Sequence, residues 1–275
     1  MKRPSLAMLV LAALVACAPL ASAQNAIYKF KQGKPYKYLL EYKRDVIQEM
    51  MGNTMNMSME GTGSAVYTMT AKRENGDMDI TMKIESCLLL MESQEGTQTF
   101  GEALKDREFK YTIASNGKVL DRDTTVEFPE DPSSQIVAEM MGIMVPLDAE
   151  KLASEKTWER NKIDTLGEGD NTTMLTRKSI FENKGTKDLN GRSCTEIAVK
   201  TVKNSEGRMV RGDNDLAMTG EENGEGSLLY DQAEGLLITL NMTEKGEQTI
   251  SQVGGGSMKV NIAISTTRKT EYIPD

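Results

Sequence analysis

Alternation between apolar and polar residues, with a period of two, is the dominant pattern along this chain. In a strand with one buried face every second side chain points into the core, so this pattern predicts β-strands. Two such segments are separated by Asn75-Gly76, a pair that favours the positive φ angles of a tight hairpin turn. The apolar positions of this hairpin are Ala65, Tyr67 and Met69 before the turn and Met78, Ile80, Met82 and Ile84 after it.

The same alternation recurs in both halves of the chain. Asn116-Gly117 predicts a second tight turn, and the segment Tyr230–Gly235 predicts a further hairpin loop. We therefore expect an antiparallel meander on each side of the middle of the chain. The other predicted strands carry the apolar sets Tyr36, Tyr38, Leu40 and Tyr42; Phe109, Tyr111 and Ile113; Leu236, Ile238, Leu240 and Met242; and Met258, Val260, Ile262 and Ile264.

The middle of the chain has a different pattern. Phe128-Pro129 and Pro132 interrupt the strands, because proline has no N–H to donate to a sheet. Apolar residues then recur with helical spacing until Pro146. We predict one helix over about residues 132–144, with an apolar stripe formed by Ile136, Val137, Met140, Met141 and Met144.

These elements predict a mainly β protein. A long antiparallel sheet with one apolar face must bury that face, and it can do so by curling around the helix. We expect a curled antiparallel sheet, or incomplete β-barrel, with one covering helix. Residues 24–275 are predicted to form a single β-rich domain, in which a helical segment near 129–157 joins two meander lobes.

The first 23 residues have the features of a bacterial export signal. Met1-Lys2-Arg3 is basic, Leu6–Ala16 is apolar, and Ala21-Ser22-Ala23 is a small-residue cleavage site. No later stretch approaches the ~20 apolar residues that a transmembrane helix needs. We therefore expect a protein without a transmembrane span that is exported to the periplasm or secreted.

The same segment supports a second interpretation. Leu14-Val15-Ala16-Cys17 fits the pattern in which residues 1–16 are removed and Cys17 is lipidated. A diacyl anchor would hold the mature protein firmly to a membrane. Both cleavages stay open, so a membrane-anchored lipoprotein is the alternative to simple export.

Composition excludes several classes of function. Without Lys2 and Arg3 the chain has 31 basic and 41 acidic residues, and this net charge of about −10 repels phosphate backbones. We therefore expect no binding to nucleic acid. The chain contains no histidine, which removes the commonest general base and the commonest metal ligand. We expect no enzymatic activity and no cofactor.

Cys87 and Cys194 are the two cysteines that follow the signal. In an oxidising compartment they could form a disulfide, and two buried free thiols are the alternative. The sequence leaves both interpretations open, because it does not show whether the two Cα atoms lie within ~7 Å of each other.

Methionine is frequent, with 19 residues in the chain. Met55, Met57 and Met59 alternate on one face of a predicted strand, and soft thioether sulfur suits Cu(I) or Ag(I). The favoured interpretation is that they fill a core or line a cavity, because methionine adapts to irregular apolar space. The residues that we expect to line a hydrophobic-ligand site are Met55, Met57, Met59, Tyr67, Met69, Ile136, Met140, Met141 and Met144.

Several features combine into a recognisable order. They are the export signal, a Tyr-rich first strand, Phe128-Pro129 before the helix, Pro146 ahead of Trp158, and Tyr230-Asp231-x3-Glu234-Gly235-Leu236. This order resembles a family of uncharacterised bacterial exported proteins, whose layout is similar to the half-barrels of lipoprotein carriers (LolA/LolB-like). One departure is Ser154-Glu155-Lys156-Thr157, where the pattern has a glycine before the tryptophan. The resemblance implies a half-barrel whose concave apolar face holds an acyl chain.

The expected function is that of a non-catalytic envelope protein. Its predicted partner is a hydrophobic small molecule, a lipid or an acyl chain, bound in a Met-lined concave sheet. Cu(I) or Ag(I) binding through Met55, Met57 and Met59 is one alternative. A structural or interaction module of the cell envelope, in which strand edges recruit a protein partner, is the other.

Overall fold

The computed structural model describes residues 27–123, 126–168, 171–211, 214–253 and 259–274. The predicted signal segment with Cys17, and Met258, lie outside the described residues. The helices are α1 (Ser133–Met141) and α2 (Ala149–Ser154), and a single 3-10 turn spans Glu102–Leu104. The strands are β1 (Pro35–Met50), β2 (Asn53–Lys72), β3 (Met78–Ser93), β4 (Gly96–Phe100), β5 (Glu108–Ile113), β6 (Val119–Arg122), β7 (Thr157–Glu168), β8 (Asn171–Leu189), β9 (Arg192–Arg211), β10 (Asn214–Asp231), β11 (Leu236–Gln252) and β12 (Lys259–Ile273).

The strands form one antiparallel sheet with the order β6-β5-β3-β2-β1-β12-β11-β10-β9-β8-β7, and β4 pairs with β3. The first and last strands, β1 and β12, lie side by side near its centre. The strands β6 and β7 lie at opposite edges, so the segment with α1 and α2 passes from one edge to the other. The sheet is not closed into a barrel, and the predicted mainly β fold class is confirmed.

One face of the sheet, the inner face, forms the core. The alternating residues of β1 from Tyr36 to Tyr42 are all at most 5% exposed, as their period predicts. Ile84 of β3 and Phe181 of β8 belong to the same core although their strands lie near opposite edges, so the sheet curls. Trp158 on the edge strand β7 completes this core by stacking on Phe181, with 5.4 Å between ring centroids.

Helix α1 packs into a depression that two glycines create. A Cβ atom at Gly61 would lie 2.7 Å from Cδ1 of Ile136, and one at Gly63 would lie 1.9 Å from Cε of Met140. The hydroxyl of Tyr67 donates a hydrogen bond of 2.8 Å to the carbonyl oxygen of Met140, so this buried phenol is satisfied. The apolar stripe of the helix is therefore fixed closely against β2.

The predicted helix has the correct position but is too long. The helix ends at Met141, and the N–H of Gly142 donates to the carbonyl oxygen of Ala138 at 3.0 Å. Met144 lies beyond the helix yet is buried in the core. Helix α2 is an addition to the single helix that was predicted, and its first turn is capped by the side chain of Asp148.

The two ends of the curled sheet differ. At the end that we call proximal, Ile27 and Tyr28 are buried, and the hydroxyl of Tyr28 donates to the carbonyl oxygen of Val145 at 2.9 Å. The hydroxyl of Tyr230 donates to the carbonyl oxygen of Ile27. These contacts close the proximal end. We call the opposite end, where β1 turns into β2, the distal end.

The two cysteines are buried free thiols. Cys87 lies on β3 and Cys194 on β9, and no disulfide joins them. Five strands separate β3 from β9 in the sheet, which keeps the residues apart. Of the two interpretations that the sequence left open, the structure shows the unpaired one.

The glycine depression gives a test of the docking of α1. Gly63→Val should lower the free energy of unfolding by about 1–3 kcal/mol, because the new side chain overpacks against Met140. Adding Met140→Ala should make the total loss smaller than the sum of the two single losses by about 1 kcal/mol. Urea denaturation measures both effects. Thr62→Val on the exposed face of β2 is the control, and strict additivity would contradict this packing.

Burial of Cys87 gives a second test. Burial and then the carboxylate of Asp131 raise the pKa of this thiol from 9.0 to about 11. At pH 8 the reactive thiolate should be about 100-fold scarcer than in the unfolded chain. Iodoacetamide followed by peptide mass spectrometry should find Cys87 unmodified in the native protein and modified in guanidinium. Equal rates in the two states would show that Cys87 is not buried.

Candidate functional site

The distal half of the inner face has no helix over it in the described part of the chain. Helix α1 packs on β2 and β3 near Gly61 and Gly63, which leaves the strand segments beyond them uncovered. Many inner residues are nevertheless half-buried there. In β9, for example, Lys203, Ser205 and Gly207 are half-buried while Asn204 and Glu206 are exposed. The curl of the sheet alone therefore shields this surface.

Apolar side chains cluster on the distal inner face around β1. Val46 pairs with Met57 on one side and with Ile264 on the other, and Gln48 pairs in the same way with Met55 and Ile262. Met55 is 42% exposed and the other four apolar residues are half-buried. We call this group the distal strip; its members are Val46, Met55, Met57, Ile262 and Ile264.

The structure divides the predicted ligand-site residues into two groups. Met55 and Met57 belong to the distal strip, which is open. The others lie in the packed core between α1 and the sheet, where each is at most 4% exposed. The buried group consists of Met59, Tyr67, Met69, Ile136, Met140, Met141 and Met144.

Two open cavities lie on the inner face beside α1. The first, of about 260 Å³, is lined by Tyr42, Leu175 and the strip residue Ile264 together with charged side chains. The second, of about 390 Å³, lies between the Met144–Pro146 segment, β6 and the inner faces of β7, β8, β9, β11 and β12. Both include Glu139, Arg177 and Glu244 in their walls, so they adjoin each other. A volume of a few hundred Å³ suits a small ligand or part of a larger one.

Charged residues occupy the middle of the inner face, between the core and the distal strip. Arg268 of β12 pairs with Glu139 of α1, and Lys203 donates to Glu244 at 2.6 Å. Burial opposes ionisation of Glu244, but Lys203 and then Arg268 and Arg177 outweigh it and lower the pKa of this carboxyl. This band could not be predicted from the sequence, because its members come from distant strands.

The methionine motif does not present three equivalent ligands. Met59 is only 3% exposed and belongs to the core, whereas Met57 is half-buried and Met55 open. Among the described residues no group of three or more acidic or cysteine side chains is placed to hold a metal ion. Binding of Cu(I) or Ag(I) through Met55, Met57 and Met59 stays a prediction.

The helices of the described residues are all too short or too polar to cross a membrane.

Comparison with known proteins supports the fold. No family model and no curated protein matches the chain. A structure of lipovitellin, studied for its lipid–protein interactions, matches with a TM-score of 0.51 and 14% identity over 90% of this chain and 26% of its own. This chain therefore spans about a quarter of the lipovitellin chain, and at such identity the likeness shows the fold alone.

Two further structures match at lower scores. OccK2 (OpdF) of Pseudomonas aeruginosa has a TM-score of 0.31 and 8% identity over 89% of this chain and 100% of its own. A DUF1329 family protein from Desulfovibrio piger has a TM-score of 0.16 and 10% identity over 85% of each chain. Neither score supports an argument, and the resemblance to lipoprotein carriers stays a prediction.

The ion pair of Glu244 gives a pH-dependent test. Because its pKa is lowered in the folded state, ionised Glu244 stabilises the protein at pH 7, and this stability is lost as the pH falls through the lowered pKa. Glu244→Gln should cost about 1.5–3 kcal/mol of unfolding free energy at pH 7. The difference from the unmodified protein should shrink in acid. Urea denaturation from pH 7 to 3 measures it; Glu247→Gln, at an exposed position of β11, is the control. A pH-independent difference would contradict the assignment.

Proposed function

We propose that this protein is an exported, non-catalytic protein of the cell envelope that binds a hydrophobic ligand, a lipid or an acyl chain, on its concave face. The observation that carries the proposal is the distal strip, which is apolar, faces inward and has no covering element in the described chain. A core that served stability alone would end where α1 ends. Here the apolar inner face continues beyond it.

The energetics favour an extended apolar ligand. Each methylene group that leaves water contributes about 0.8 kcal/mol, so ten buried methylenes would contribute about 8 kcal/mol before the costs of association. Met55 and Met57 suit such a ligand because thioether side chains adapt to different apolar shapes. Ile264 belongs both to the distal strip and to the wall of the smaller cavity. A chain lying on the strip would therefore point towards the cavities beside α1.

Several observations support binding rather than catalysis. The chain has no histidine. The two acidic residues of the larger cavity, Glu139 and Glu244, both form ion pairs with basic residues. Lipovitellin, whose structure concerns lipid–protein interactions, shares the fold over most of this chain. The proposal of export rests on the predicted signal. Cleavage before Gln24 and lipidation of Cys17 both stay open as ways of processing that signal.

Neighbouring residues of β1 provide a matched test. Val46→Glu places a charge on the distal strip, and Ile47→Glu makes the same change on the outer face, where Ile47 is 46% exposed. We expect saturable binding of dansyl-undecanoic acid to the unmodified protein, at least tenfold weaker binding to the Val46 variant, and unchanged binding to the Ile47 variant. Fluorescence titration measures the affinities, and circular dichroism checks that both variants fold.

Absence of saturable binding to the unmodified protein would overturn the proposal and favour the interaction module. Equal loss of affinity in the two variants would also contradict it, because the site would then not lie on the inner face.

A further inference from the structure

The larger cavity is strongly basic although the whole chain is acidic. Eight of its wall residues are charged, and only Glu139 and Glu244 among them are acidic. The formal net charge of the chain is −8, so random placement would give the opposite balance. The basic residues of the wall are Lys118, Arg122, Arg160, Lys162, Arg177 and Arg268.

Three of these cations are crowded on one hairpin. Lys162 of β7 lies directly opposite Arg177 of β8, and Arg160 lies two residues away on the same face. Like charges directly opposite each other in a sheet destabilise it. This crowding affects Arg160, because burial and then the nearby Arg177 lower the pKa of its guanidinium. Asp164 pairs with Lys162 at 2.6 Å and relieves only that one charge.

Apart from Lys162 and Arg268, the cations of the wall form no ion pair in the described part of the chain. No carboxylate in the described part of the chain lies within 4.0 Å of a side-chain nitrogen of Arg160 or Arg177, or of Lys118 or Arg122 across the cavity. Arg160 uses one N–H for the carbonyl oxygen of Pro146, at 3.2 Å, and has further donors free. Of the two acidic residues of the wall, Glu139 pairs with Arg268 and Glu244 pairs with Lys203, while Arg177 acts on Glu244 only at longer range.

An anion would satisfy this group of cations. Arg160 and Arg177 come from neighbouring strands and lie on the same face of the sheet, so their guanidinium groups can approach one oxyanion together.

We infer that this cavity binds the anionic group, a phosphate or carboxylate, of an amphipathic ligand, through Arg160 and Arg177. This inference extends the proposed function, and the position that it gives to the acyl chain rests on that function. The anion lies beside α1 and the chain extends past Ile264 onto the distal strip. Arginine suits this role because its planar group donates two parallel hydrogen bonds to an oxyanion. The ligand is thus an acidic lipid, not a neutral one.

The test compares two lipids that share one chain. Isothermal titration calorimetry uses 1-lauroyl-glycerol 3-phosphate, 1-lauroylglycerol and inorganic phosphate, each below its micelle concentration where it forms micelles. We expect the phosphate lipid to bind at least tenfold more tightly than the neutral one. Arg177→Gln should weaken binding of the phosphate lipid about tenfold and leave the neutral lipid within twofold. Lys178→Gln, on the opposite face of β8, is the matched control and should change neither.

The outcomes separate this inference from the proposed function. Equal affinity for both lipids, or equal effects of the Arg177 and Lys178 variants, would overturn the anion site and leave hydrophobic binding intact. Binding of inorganic phosphate that depends on Arg177, without binding of either lipid, would support the anion site for a free anion and overturn the hydrophobic function. Binding of none of the three probes would overturn both.

Discussion

The pairing of the first strand with the last holds the two halves of this protein in one sheet. β1 and β12 form an unbroken antiparallel ladder from Lys37 and Ile273 to Met50 and Val260. Without that ladder the N-terminal and C-terminal meanders would be separate sheets, and no common inner face would exist. The contact joins residues more than 200 positions apart, so it can form only after β12 has been synthesised. Both cavities beside α1 have walls on each side of this ladder.

A single crossing segment then covers an inner face that is much longer than itself. Helix α1 seals the proximal half, where Gly61 and Gly63 let it approach the sheet, and the residues around Tyr28 close that end. The distal half is shielded only by the curl of the sheet. The inner face therefore has three zones along the strands: a packed core, a charged band and the apolar distal strip. An amphipathic ligand matches the second and third zones together.

Features that depend on neighbouring residues could be predicted from the sequence, whereas contacts between residues far apart in the chain could not. A strand with one solvent-exposed face alternates apolar and polar residues with a period of two, and a helix with one buried face has an apolar stripe. Both patterns could be predicted from neighbouring residues. Helix α2 is only six residues long, and a capping residue such as Asp148 is too weak a signal alone. The cavity could not be predicted, because wall residues such as Arg160 and Arg268 come together only through the strand order. Met55 and Met59 are equivalent by spacing, but Met59 lies two residues from Gly61, where α1 packs, and Met55 lies farther from it.

Photo-crosslinking with a diazirine-bearing fatty acid tests the central claim most directly. Peptide mass spectrometry of the labelled protein locates the attached chain. We predict labels within residues 44–50, 53–58 and 259–266, on the inner positions of β1, β2 and β12, while α1 stays unlabelled. Labels spread over the outer face, or confined to the core beneath α1, would contradict an open distal strip as the binding surface.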